Sequence, residues 1–145
     1  GDIGMSEKTM TEREMEELQG ERPLYGGAGE SMAVFLDFKE DLTDIHMDVY
    51  VKRKGSIGWF FRYGHASDGP QNYLVQMNCE GNDEYVLMCL GADPVSYIEV
   101  EKDDSTRMTI NPELGKPFAY VMNHKWNVTV YDKDGGIVIP HERNM

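Results

Sequence analysis

Basic residues are scarce in this chain. Lysine and arginine number 14 against 26 aspartates and glutamates, a formal net charge of −12 over 145 residues. That balance argues against a nucleic-acid-binding domain, which needs a basic stripe to neutralise phosphates, and against docking on an anionic membrane. No apolar run approaches the roughly 18 residues of a membrane span, and the polar, acidic N-terminus has none of the apolar core of a signal peptide. Gly1–Gly4 are expected to be an extraneous leader, with Met5 as the native start. Cysteine is limited to Cys79 and Cys89, in strand-like runs on either side of Glu80-Gly81-Asn82-Asp83. A hairpin about that turn sets Cys79 against Glu84 and Cys89 against Leu74, far apart and on opposite faces, which predicts two free thiols. Free thiols suit a reducing compartment, so the expected location is cytoplasmic or nuclear. The sequon Asn127-Val128-Thr129 sits mid-strand, a poor acceptor context.

Helical periodicity is nearly absent too. Residues 1–20 hold the one candidate, where Thr11 and Glu14 form a capping-box pattern ahead of Met15 and Leu18. With so few apolar positions the segment reads as a short helix or a disordered arm. Pro23 and the glycines of residues 20–31 read as a linker, so the expected organisation is an arm and linker over 1–30 and one domain over 31–145. From Ser31 onward the apolar period is two. Strands are expected at 32–38, 45–52, 57–64, 72–79, 84–91, 95–101, 106–110, 117–123, 125–131 and 136–140, separated by turn signals that include Asp93-Pro94. Many short strands at roughly ten-residue spacing predict an all-β antiparallel sandwich or barrel.

Pairing Tyr63 with Tyr73 and Cys79 with Glu84 places Trp59, Phe61, Val75, Met77, Val86 and Met88 on one apolar face, the expected core. The opposite face carries Phe60, Arg62, Gln76, Asn78 and Tyr85 beside Leu74, Leu87 and Cys89. A sheet face open only to water is normally more charged, so this face is expected to be covered by another layer or built to bind a ligand.

Catalytic constellations are thin. His46 and Asp48 share a strand face, with His65 in a later loop, but a metal needs three or four convergent ligands. Asp132-Lys133-Asp134-Gly135-Gly136 opens like a calcium loop, then runs into Ile137-Val138-Ile139, and so reads as a hairpin turn. The cysteines with His46, His65 or His124 lack a strand-turn-helix nucleophile elbow, and Gly26-Gly27-Ala28-Gly29 lacks a lysine and a preceding strand. The run 57–63 and the run 73–79 carry no carboxylate pair for glycoside cleavage. The expectation is therefore a non-enzymatic protein with no metal and no cofactor. The acidic stretch from Glu99 to Asp104 reads as a solvated strand end or as a patch that steers a basic partner.

Gly58-Trp59-Phe60-Phe61-Arg62-Tyr63, followed by Asn72-Tyr73-Leu74-Val75-Gln76-Met77, resembles a strand pair of the concanavalin A-like jelly rolls, the laminin-G-like members above all. The tail from Gly115-Lys116-Pro117-Phe118 through Trp126-Asn127-Val128 to Pro140 is similar to the end of galectin domains. The resemblance implies a jelly-roll-like antiparallel β-sandwich. It does not carry the galectin sugar site, since the His, Asn, Arg set and the Trp-Gly-x-Glu set do not occur. The leading expectation is a non-catalytic module that binds a protein partner, a basic one given the charge, within a larger assembly. Its site would be Phe60, Arg62, Gln76, Asn78 and Tyr85. Lectin-like glycan binding and an acidic inhibitor or immunity-type protein capping a basic site are the alternatives. Edge strands also allow self-pairing into a homodimer.

Overall fold

The computed structural model describes residues 9–21, 27–55, 57–91 and 95–145. The expected leader with Met5, residues 22–26 of the linker and the Asp93-Pro94 turn lie outside them. The chain is all-β apart from one helix among the described residues. After β1 (Thr9–Met10), Thr11 caps α1 (Glu12–Glu21): its hydroxyl accepts from the Glu14 amide at 3.1 Å and meets the Glu14 carboxylate at 3.1 Å. Glu12 and Glu14 lie in the first turn, where the helix dipole favours negative charge. Within the expected arm, Glu12–Glu21 is thus a helix, and it is docked. Met15 is 2% exposed and packs with Ala33, Phe35 and Trp59. Glu12 pairs with Lys52 and accepts from the Trp59 indole at 3.4 Å.

Eleven further strands form three four-stranded sheets with β1. The first sheet has the order β1, β4 (Trp59–Ser67), β3 (Ile45–Val51), β2 (Met32–Asp37). The second has β12 (His141–Asn144), β5 (Gln71–Asn78), β6 (Glu84–Leu90), β9 (Phe118–Asn123). The third has β11 (Ile137–Val138), β10 (Asn127–Tyr131), β7 (Tyr97–Glu101), β8 (Arg107–Ile110). Alternating side chains on the middle sheet feed two cores. Val75, Met77, Val86 and Met88 pack against Val34, Leu36, Met47 and Val49 of the first sheet. Leu74, Tyr85, Leu87 and Cys89 pack against Ile98, Val100 and Val130 of the third. The second face of the hairpin is therefore covered by another layer. β6 is buried at every position, as a strand with sheets on both sides must be.

The β5–β6 register agrees with expectation: Asn78 faces Tyr85, Val75 faces Met88 and Leu74 faces Cys89. Cys79 packs at the first core and Cys89 in the second, and the two form no disulfide. Asp132 Oδ1 accepts from the Asp134 and Gly136 amides, and Gly135 takes φ +82°, a hairpin turn between β10 and β11.

The pairing of Tyr63 with Tyr73 does not occur. β4 pairs with β3, so Tyr63 faces Val49, and the strand belongs to the first sheet, not beside β5. Trp59 is buried, but under α1 on the outer side of that sheet. Phe61 is 41% exposed, edge-on to Tyr50 at 5.6 Å between ring centres. Alternation gives a strand its two faces but not its partner, and the segment around Pro70 carries the chain from one sheet to the next. β4 also has a bulge: Tyr50 pairs with Phe61 and Val49 with Tyr63, leaving Arg62 as the extra residue. A bulge re-aims its side chain and shifts the alternation beyond it. The expected strand 136–140 is broken. Ile137–Val138 ends before Pro140, and His141–Asn144 pairs in parallel with Val75–Asn78.

Candidate functional site

The five predicted site residues fall into two groups. Gln76, Asn78 and Tyr85 share the third-sheet side of the β5–β6 hairpin, whose turn is closed by Gly81 at φ +78° and by the Asn82 amide donating to the Cys79 carbonyl at 3.0 Å. Gln76 Nε2 donates to Asn78 Oδ1 at 3.0 Å. Both amides then meet one carboxylate oxygen of Glu142, at 3.5 Å from Gln76 and 3.3 Å from Asn78. Glu142 stands opposite Gln76 because β12 pairs in register with β5. Tyr85 is buried, its ring 4.7 Å from that of His124. Burial pushes its phenol up to about 12, because the charged form is disfavoured away from water.

Beside this group runs a groove of about 290 Å³. Gln76, Tyr85 and Leu87 lie on one side, Ile137, Ile139 and Pro140 on the other. Ile137 is 65% exposed and Ile139 80%. All four residues of β12 are exposed, and β12 ends its sheet. Its outer main-chain groups have no pairing strand among the described residues.

Phe60 and Arg62 lie apart, on β4 of the first sheet. The Arg53 guanidinium sits over the Phe60 ring at 4.5 Å. Arg62 Nη2 donates to the Met145 main-chain oxygen at 2.6 Å, the direction the bulge gives it. Arg62, but not Phe60, borders a second groove, of about 550 Å³, lined also by Lys52, Arg53 and Lys54 and by the turn from Cys79 to Asn82.

The outer face of the third sheet is polar. Glu99, Glu101, Arg107, Thr109, Asn127 and Thr129 line a hollow of about 380 Å³. Arg107 is paired with Glu101 at 2.8 Å. Tyr97 and Tyr131, opposite each other in the β7–β10 ladder, stack at 4.7 Å with 14° between planes. The acidic stretch from Glu99 thus contributes alternate carboxylates to an open sheet face.

Sequence reasoning missed β12, Glu142 and the basic groove. His141-Glu142-Arg143-Asn144 has no apolar alternation and so no strand signal. Lys52-Arg53-Lys54 is visible as a run, but Arg62 joins it only through the β3–β4 pairing. His46 is exposed and Asp48 half-buried. Among the described residues no three histidine, cysteine or acidic side chains converge as metal ligands, and no helix is long and apolar enough to cross a membrane. Comparison with family models, curated proteins and solved structures finds no match to this chain.

Proposed function

We propose that the chain is a non-catalytic binding module that receives an extended segment of a protein partner along β12. The observation that carries this reading is the open edge of β12 at the end of its sheet, together with a groove lined by Gln76 of the adjoining β5 and by exposed Ile137 and Ile139, which ends at Pro140, the residue before β12. An edge strand offers unpaired amides and carbonyls to an added strand, and a neighbouring pocket takes alternate side chains of that strand. The groups at hand are two amides, a neutral phenol and one carboxylate, which bind and orient rather than activate a nucleophile. Glu142 and the net charge of −12 favour a segment that alternates apolar with basic residues.

The test is selection of short peptides from a random library on the purified chain. The expected result is enrichment of extended sequences with alternating apolar and basic positions, lost in Ile139→Asp and weakened by salt. No enrichment, or enriched peptides that bind Ile139→Asp equally well, overturns the reading.

Carbohydrate binding is the second reading. The polar outer face of the third sheet favours it, where carboxylates, an amide and hydroxyls surround a hollow next to two stacked tyrosines. Saturable binding on a glycan array that Thr129→Ala and Asn127→Ala abolish would support it over the peptide reading.

A further inference from the structure

Positive charge is not spread evenly over this acidic chain. Four of its fourteen basic residues, Lys52, Arg53, Lys54 and Arg62, line the single groove of about 550 Å³ between the β3–β4 connection and the β5–β6 turn. No single stretch of sequence brings them together. Lys52, Arg53 and Lys54 follow β3, and Arg62 is the bulged residue of β4. Glu80 is the one carboxylate among the described residues that line it.

Three of the four cations are held in place. Arg53 is stacked over Phe60, which orders the guanidinium plane. Arg62 is tied by one nitrogen to the Met145 main chain, and a guanidinium has five N–H donors, so one such bond leaves most of its fork available. Lys52 is anchored by Glu12 and lies 4.9 Å from the Trp59 ring centre. Lys54 stands at the exposed turn beside Gly55, which takes φ +77°. Pre-ordered arginines lose less freedom on binding an anion than mobile ones do.

We infer that this groove is a binding site for a small phosphate monoester. A dianion gains most where several cations converge, and the guanidinium fork matches phosphate oxygens in pairs. The rest of the surface is strongly acidic and repels such an anion, so the field concentrates it here. The volume lies in the range of small-ligand sites, roughly 300–1,000 Å³. Glu80 at the groove wall accepts hydroxyls from the carbon part of the ligand, which favours a phosphorylated polyol over bare phosphate. The groove shares no lining residue with the one beside Ile137 and Ile139; Arg62 is bonded to Met145 just after β12, so Lys54→Glu, away from β12, is the variant that separates this site from the peptide reading.

Titration of the full chain with glycerol 3-phosphate, inorganic phosphate and glycerol, followed by calorimetry and amide NMR shifts, tests this. Glycerol 3-phosphate is expected to bind saturably, with shifts at 52–54, 62 and 79–82, and glycerol is not. Lys54→Glu and Arg62→Met are each expected to weaken binding at least about tenfold, and Arg107→Ala, on the third sheet, to leave it unchanged. Lys54 is at an exposed turn, so its variant remains informative if Arg62→Met fails to fold. Absence of saturable binding, or binding indifferent to Lys54→Glu, overturns the site. Equal affinity for inorganic phosphate overturns the polyol part of the inference.

Discussion

Gly29→Ala tests the tightest approach to a glycine among the described residues. Glu84 is the one buried charged residue among the described residues, at 6% exposure. Its carboxylate accepts from the Ser31 amide at 2.7 Å, the Ser31 hydroxyl at 2.9 Å and the Glu30 amide at 3.2 Å. It thereby ties the segment that enters β2 to the start of β6. A methyl group at Gly29 would fall 2.6 Å from the Glu84 side-chain Cδ, far inside van der Waals contact. Gly29 has no positive φ, so the backbone itself does not reject alanine. By its effect on the unfolded chain alone, the change should stabilise by about 0.4–1 kcal/mol. Moving the carboxylate away instead breaks at least one charge-assisted hydrogen bond, worth about 1.5–3 kcal/mol, and leaves a buried charge less well met. The expected net effect is a loss of about 0.5–2.5 kcal/mol for each hydrogen bond broken. In a Glu84→Ala background the obstacle is gone, and Gly29→Ala should become neutral or stabilising. Urea unfolding followed by tryptophan fluorescence, run as a double-mutant cycle, measures the coupling. The same cost in both backgrounds, or a stabilising Gly29→Ala in the parent, would refute the argument.

Two further outcomes follow from packing and burial. Trp59→Ala should cost about 3–5 kcal/mol, with hydrogen-exchange protection of α1 lost first, because the indole joins Met15 and Glu12 of the helix to the first sheet. Stability should also fall with alkaline pH: the Tyr85 phenol ordinarily titrates at 10.0 and in the fold at about 12, so between these values the folded chain holds a proton the unfolded chain has released. The contribution is complete below pH 10 and is lost as pH rises through 12, roughly 3 kcal/mol in all. Burial raises Tyr120 in the same direction. Urea midpoints across this range should flatten in Tyr85→Phe, and an unchanged slope would show that the buried phenol does not drive the effect.

Much of the molecule is legible in its residues. Period-two alternation and short apolar runs between turn signals locate β2 to β10 to within a few positions. The hairpin β5–β6 follows from its turn and from the match of Val75 and Met77 with Met88 and Val86. The Thr11–Glu14 pattern marks the helix start. The mixed face around Tyr85 is legible as one not open only to water, either covered or built to bind, because a solvated face would carry more charge; that it is covered by the third sheet comes from the packing.

Tertiary structure alone decided the rest. Strand partners depend on which pairing buries the most surface across the whole chain, and β4 satisfies the same alternation beside β3 as it would beside β5. That choice of partner is why Phe60 and Arg62 separate from Gln76 and Asn78, and the bulge at Arg62 adds one residue with no local sequence mark. The parallel pairing of β12 rests on main-chain hydrogen bonds that no side-chain pattern announces. The basic groove forms because the fold brings 52–54, 62 and 79–82 together, whereas composition records only a chain of net charge −12. Local sequence sets which face of each strand is apolar. Which faces meet, and which charges converge between them, is a property of long-range packing.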